Sequence, residues 1–177
     1  LVLVGSFDRT EALELVAKHF GPLPRAPREI PSVAIREPRQ EGERRFVIRR
    51  AGEVGWVVVS WRTPEAAHRD THTLAVLADA LGGGVTSRLY QRLVETGMCL
   101  DVQAVAWQLR DPGLFQVFAT LNPPAPHEKV ERIIEKEVAS VVRKGLSKAE
   151  LERAKAQVEA QTAYHRDSPA QVAAGLA

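Results

Sequence analysis

His68-Arg69-Asp70-Thr71-His72 sets two imidazoles at positions i and i+4. On a helix both rings would share one face, which is the spacing a zinc pair uses. A hydrolytic zinc helix also places a glutamate beside one histidine as general base, in the order HExxH or the inverted HxxEH. Here the inner positions are Arg69, Asp70 and Thr71, so the base is missing and a cation stands between the two rings. No third ligand is placed by spacing, and the pair reads as the polar first turn of an exposed helix.

The next candidate is Gly82-Gly83-Gly84-Val85-Thr86-Ser87. Consecutive glycines let the backbone turn sharply and let another backbone or a ligand come close. No Lys-Ser/Thr pair follows at P-loop spacing, so the stretch is not a phosphate cradle. Ser87 is a nucleophile only with a base beside it. At the start of a helix, Thr86 or Ser87 reads instead as a cap. Cys99 lies between Met98 and Leu100 and reads as an inert core thiol. His19 and His165 fall at expected helix C-termini, where the dipole favours them, and His127 begins another helix with no visible partner. Trp56, Trp61 and Trp107 all sit on expected strands. Core packing is expected for at least two of them, although solvent-facing indoles could form a peptide-binding surface.

Composition narrows the classes. Across 177 residues, 24 basic and 22 acidic side chains are spread evenly, so no basic stripe suggests nucleic acid. No apolar run approaches the ~18 residues of a membrane span. The single cysteine excludes an internal disulfide and a thiolate-rich zinc site, and leaves a bacterial cytoplasm and a periplasm both open.

The elements that would position these residues follow in order. Residues 1–5 read as a short buried strand. Asp8-Arg9-Thr10-Glu11 has capping-box spacing before a helix that ends at Gly21. The strand-helix start lacks a GxGxxG fingerprint, so no dinucleotide is expected. Five prolines between 22 and 42 make an extended connector. Residues 44–50 and 54–62 read as a hairpin around Ala51-Gly52-Glu53. A helix is expected from Ala66 or His68 to Leu81, and another from 87 to 96. Strands at 98–109 and 114–121 flank the turn Arg110-Asp111-Pro112-Gly113. Helices follow at 127–144, after the capping box Ser147-Lys148-Ala149-Glu150, and after Ser168-Pro169. Hairpins separated by runs of helices predict an α+β fold, a mostly antiparallel sheet covered by helices on one face. Residues 1–177 read as a single domain. The strand entered mid-stream at Leu1 and the short helix at its end make the chain read as a piece of a longer one.

Leu1-Val2-Leu3-Val4-Gly5-Ser6-Phe7-Asp8, the helix end His19-Phe20-Gly21-Pro22-Leu23-Pro24, and above all Leu81-Gly82-Gly83-Gly84 followed by Ser87-Arg88-Leu89-Tyr90 resemble one lobe of the insulinase/pitrilysin family. These are zinc metallopeptidases that include the mitochondrial processing peptidase. The resemblance covers nearly the whole chain and matches the second, zinc-free domain of the family's two-domain half. It implies a two-layer α+β sandwich. It also implies pairing with a homologous lobe, in the same chain or a partner subunit, that carries HxxEH and the zinc. Clam-like halves of this kind enclose an extended peptide, and the metal polarises its scissile carbonyl and activates water. This chain contains no HxxEH, so the resemblance implies no catalytic residue, no metal ligand and no cofactor within it. Active members of the family also place an arginine and, seven residues later, a tyrosine in such a lobe to hold substrate. Allowing one deleted residue, Val94 stands at the arginine position and Leu100 at the tyrosine position, so the pair is absent. A zinc-free peptidase lobe is therefore expected. The alternative is a structural module of the same fold, like the core subunits of respiratory reductase complexes. An HxxEH in the preceding domain of the parent gene separates the two.

Overall fold

The computed structural model describes residues 1–29, 38 and 40–176. They form two compact units, Ala51–Asp167 and Leu1–Arg50 with Ser168–Ala177.

In the smaller unit, helix α1 runs Arg9–Phe20. Asp8 caps its N-terminus, with the Glu11 amide donating to Asp8 Oδ1 at 2.9 Å; of the expected capping box, this is the half the structure records. Lys18 and His19 stand in the last turn, where cations suit the dipole. The two strands expected here do not form: residues 1–4 and 44–50 carry no strand. Strands draw their stability from cross-strand pairs and a buried face. Phe46, Val47 and Ile48 instead lie exposed, in no ladder. The expected connector falls partly on residues 30–37 and 39, outside the described ones. The unit's last helix, Pro169–Leu176, follows Ser168 as expected.

The larger unit is built on a three-stranded antiparallel sheet: β1 (Trp56–Arg62), β2 (Cys99–Ala106) and β3 (Leu114–Leu121), in the order β1-β3-β2. The partner of β1 is thus β3, with Val59 opposite Val117, rather than residues 44–50. β2 and β3 form the hairpin that the Arg110–Gly113 turn signal predicts. β2 stops short of residue 109 because the Leu109 carbonyl accepts from the Ala66 amide at 2.8 Å instead of continuing the ladder.

Strand period then sorts the side chains. Phe115, Val117, Ala119 and Leu121 are buried on one face of β3, with Val57, Val59 and Trp61 of β1 and Val102 of β2 beside them. Helices cover this face. α2 (Thr71–Gly82) packs on β2, and α3 (His127–Lys144) on β1 and β3. α4 (Lys148–Arg166) packs on α2. Leu81, Leu89, Leu93, Val130 and Ile134 are fully buried at the centre. In α3 the sequence puts Val130, Ile133, Ile134, Val138 and Val141 on one stripe, the 3.6-residue period of a core-facing helix. Among the described residues of this unit, no helix packs on the opposite sheet face. The architecture is α+β, one antiparallel sheet with helices on one side.

Candidate functional site

Helix α2 begins at Thr71, not at Ala66 or His68. Pro64 and the turns closed by His68 N to Glu65 O and Thr71 N to His68 O occupy the preceding residues. His68 therefore lies outside the helix that holds His72, and the i, i+4 spacing does not stack the rings on one helical face. His68 Nδ1 accepts from the Asp70 amide at 3.2 Å, and Asp70 Oδ2 lies 3.6 Å from it. That nitrogen is engaged locally, and the two rings are not set on one helical face as a zinc pair on a helix would be. Among the described residues, no three His, Cys, Asp or Glu side chains are grouped as a metal would need.

The glycine joint between α2 and the next helical turn is built by contact. A Cβ on Gly82 would come within 2.9 Å of both Ala104 Cβ and the Gln103 carbonyl carbon in β2. Glycine there lets the helix end touch the sheet backbone. Gly84 has φ +103°, which side chains rarely adopt. After this turn Ser87 is buried, but its hydroxyl donates backward to the Gly84 carbonyl at 2.7 Å. The expected side-chain cap at Thr86 or Ser87 is thus not what Ser87 does: it closes the glycine turn. That bond goes to a backbone carbonyl rather than to a base.

Leu89 and Leu93 point into the core, and Tyr90–Val94 form a π-helical turn closed by Glu95 N to Tyr90 O at 3.1 Å. Arg88 points the other way, to the start of α4. Its Nε and Nη2 donate to the two oxygens of Glu150 at 2.5 and 2.9 Å. Glu150 Oε2 also accepts from the Ser147 amide and hydroxyl, at 2.8 and 2.7 Å. The capping box and the Ser87-Arg88-Leu89 signature are therefore one device. The Arg88 hydrogen bonds, with those of Ser147 adding to them, hold the Glu150 carboxyl down at about 2. Arg153, one turn further on, donates to the Thr86 carbonyl at 3.1 Å. Burial pushes the Asp79 carboxyl up, and the positive charge of Arg153 opposes this. The joint is pinned from both sides.

Val94 ends the π turn and packs against the core, while Leu100 lies exposed on β2 at the bulge between Cys99 and Asp101. Neither side chain carries a hydrogen-bond donor. Cys99 is buried as expected, and burial, then the Asp101 charge, pushes its thiol up to about 11, so it stays protonated. The tryptophan expectation is corrected. Only Trp61 joins the core, its ring 6.1 Å from Phe115. Trp56 and Trp107 lie on the other side of the sheet and are exposed. Period-two alternation from inward-facing Trp61 would have placed Trp56 outward.

Residues 1–158 match the family described as the peptidase M16 inactive domain. Zinc protease PqqE of Helicobacter pylori is 29% identical over 177 residues, covering 98% of this chain and 40% of that protein. An uncharacterized zinc protease of Mycobacterium leprae is 31% identical over 157 residues, covering 88% of this chain and 35% of that protein. The crystal structure of a protease from Helicobacter pylori superposes with a TM-score of 0.89 at 28% identity, over 97% of this chain and 42% of that one. A subunit of complex III from Candida albicans shares the fold alone, with a TM-score of 0.62 at 17% identity, over 69% of this chain and 31% of that one. The chain thus spans about 40% of the length of the first of these relatives. These matches agree with the resemblance carried by the glycine joint and Ser87-Arg88-Leu89: the chain belongs to the peptidase M16 family of zinc proteases and corresponds to its inactive domain.

Proposed function

We propose that this chain is the zinc-free lobe of a zinc metalloendopeptidase and walls the chamber in which an extended peptide is cut. The observation that carries the reading is the match of residues 1–158 to the inactive domain of a zinc protease family. Support comes from the chain itself: the joint that carries the family signature is a structural latch, with Arg88 bound to Glu150. Zinc and the HxxEH glutamate would be supplied by a homologous lobe, in the same chain or a partner subunit. With Val94 and Leu100 at the family's arginine and tyrosine positions, this lobe contributes no polar clamp to the substrate. The fold shared with a complex III subunit supports a second reading, an assembly module without catalysis.

The purified chain is expected to cleave no peptide and, after dialysis against zinc, to retain only traces of metal by elemental analysis. About one tightly held zinc per chain would contradict the reading. The peptidase and assembly readings part on the parent protein: cleavage of a denatured polypeptide that a chelator stops supports the first, and inertness the second.

A further inference from the structure

One buried side chain of the larger unit stands apart from the rest. Thr63 follows the last residue of β1 and is only 7% exposed. Among the described residues, its hydroxyl is the buried side-chain polar atom without a protein hydrogen-bond partner. The other buried polar side chains, Thr71 and Ser87, donate to the carbonyls of Glu65 and Gly84. The Thr63 backbone has no slack with which to find a partner. Its amide donates to the Gly113 carbonyl at 3.0 Å, and its own carbonyl accepts from the Gly113 amide at 3.1 Å.

Thr63 borders a recess where the end of β1, the end of β2 and the start of α2 meet. Pro64, Leu74 and Ala106 give it apolar walls, and Thr71 and Trp107 line it as well. The volume open to the centre of a water there is about 10 Å³, which is room for one molecule. A second oxygen stands close by. A Cβ on Gly113 would lie 3.4 Å from Thr63 Oγ1 and 2.6 Å from the Trp107 carbonyl oxygen. Glycine thus leaves both oxygens bordering one gap, although the hydroxyl makes no direct bond across it. A single water bridges such partners over up to about 5.6 Å.

We propose that this recess binds one structural water, which accepts from the Thr63 hydroxyl and donates to the Trp107 carbonyl. The Thr71 hydroxyl gives its proton to Glu65 at 3.3 Å, so its lone pairs are left for the water's second proton. That makes three bonds, the usual number for a buried water. Size and charge select this ligand over others. No charged residue lines the recess, so a metal cation would lack carboxylates and an anion would lack a cationic partner. The water does a job that no side chain does there: it joins β1, the β2–β3 hairpin and α2 at one point. A hydroxyl buried dry at that point would lower the folding equilibrium constant by about tenfold, and the bridge removes that penalty. The site stands apart from the chamber-wall reading and holds whether or not the parent protein is a peptidase.

The test compares the whole chain with Thr63→Val, which keeps the branched shape and removes the hydroxyl. A high-resolution crystal structure of the wild type is expected to show water density within hydrogen-bonding distance of both Thr63 Oγ1 and the Trp107 carbonyl. The same density should be missing in Thr63→Val and present in Thr63→Ser, which keeps the hydroxyl. In solution, magnetisation transfer from water to the protons around Thr63 should report a bound molecule in the wild type and not in Thr63→Val. Chemical denaturation is expected to show the folding equilibrium constant falling about tenfold in Thr63→Val, because the bridge loses its donor. A Thr63→Val chain as stable as the wild type, or more stable, is the result for an unpaired hydroxyl and would overturn the proposal. So would wild-type density in which the Thr63 hydroxyl bonds directly to a protein carbonyl, or in which no water occupies the recess. The wild-type density decides the matter even where Thr63→Val does not fold.

Discussion

Gly82→Ala is expected to destabilise the larger unit by about 3 kcal/mol, the upper range for forcing atoms into a packed interior. The added methyl would meet the backbone of Gln103 and Ala104 in β2, with Ala104 Cβ 2.9 Å away. Backbone bonded into the β2–β3 ladder cannot step aside as a flexible side chain can. α2 must therefore lift from the sheet, which loosens the contacts of buried Leu81. Chemical denaturation should show a lower midpoint with an unchanged slope. Gly52→Ala, whose new methyl meets open space, is the control and should be nearly neutral. Equal stability of the two variants would remove the close-approach account of the glycine run.

Arg88→Ala is the second large effect, expected at about 2 kcal/mol near neutral pH, in the range for hydrogen bonds to charged groups. Both partners are largely shielded, with about a fifth of each side chain accessible. The figure stays below that of a fully buried pair because Ser147 still holds the abandoned carboxylate. Its pH dependence follows from the lowered carboxyl. Folding holds Glu150 at about 2, against an ordinary value of 4.5. The contribution is therefore fully present above pH 4.5 and is lost as pH falls toward 2. Wild type and Arg88→Ala should differ most above that window and converge below it. A difference constant from neutral pH to pH 2 would contradict the linkage.

The sequence was most legible where the causes are local. Asp8 caps α1, Ser147 and Glu150 box the start of α4, and the β2–β3 hairpin turns where Arg110-Asp111-Pro112-Gly113 predicts. α3 spans the residues its apolar stripe marks, since period and burial agree. Legibility ended where partners are distant. The residue range 44–50 has a strand's composition, yet β1 takes β3 as its neighbour. The i, i+4 reading of His68 and His72 depended on a helix start that the turns after Pro64 displace.

The functional features show the same division. The glycine run and the capping box were each visible, but the bond joining Arg88 to Glu150 crosses 62 residues and has no local signal. The outward side of Trp56 follows from alternation once Trp61 is known to point inward. Treating tryptophan as core by type obscured that. What identifies the lobe is therefore a set of packing devices.

The central claim is that this chain completes a peptidase without holding its metal. The most direct measurement is the chelator-sensitive cleavage rate of an extended peptide by the HxxEH-bearing lobe, with and without this chain. The account predicts negligible turnover from either lobe alone and a rate that rises with added chain and saturates at equal stoichiometry. Full activity of the zinc lobe alone, or activity of this chain alone, would contradict it.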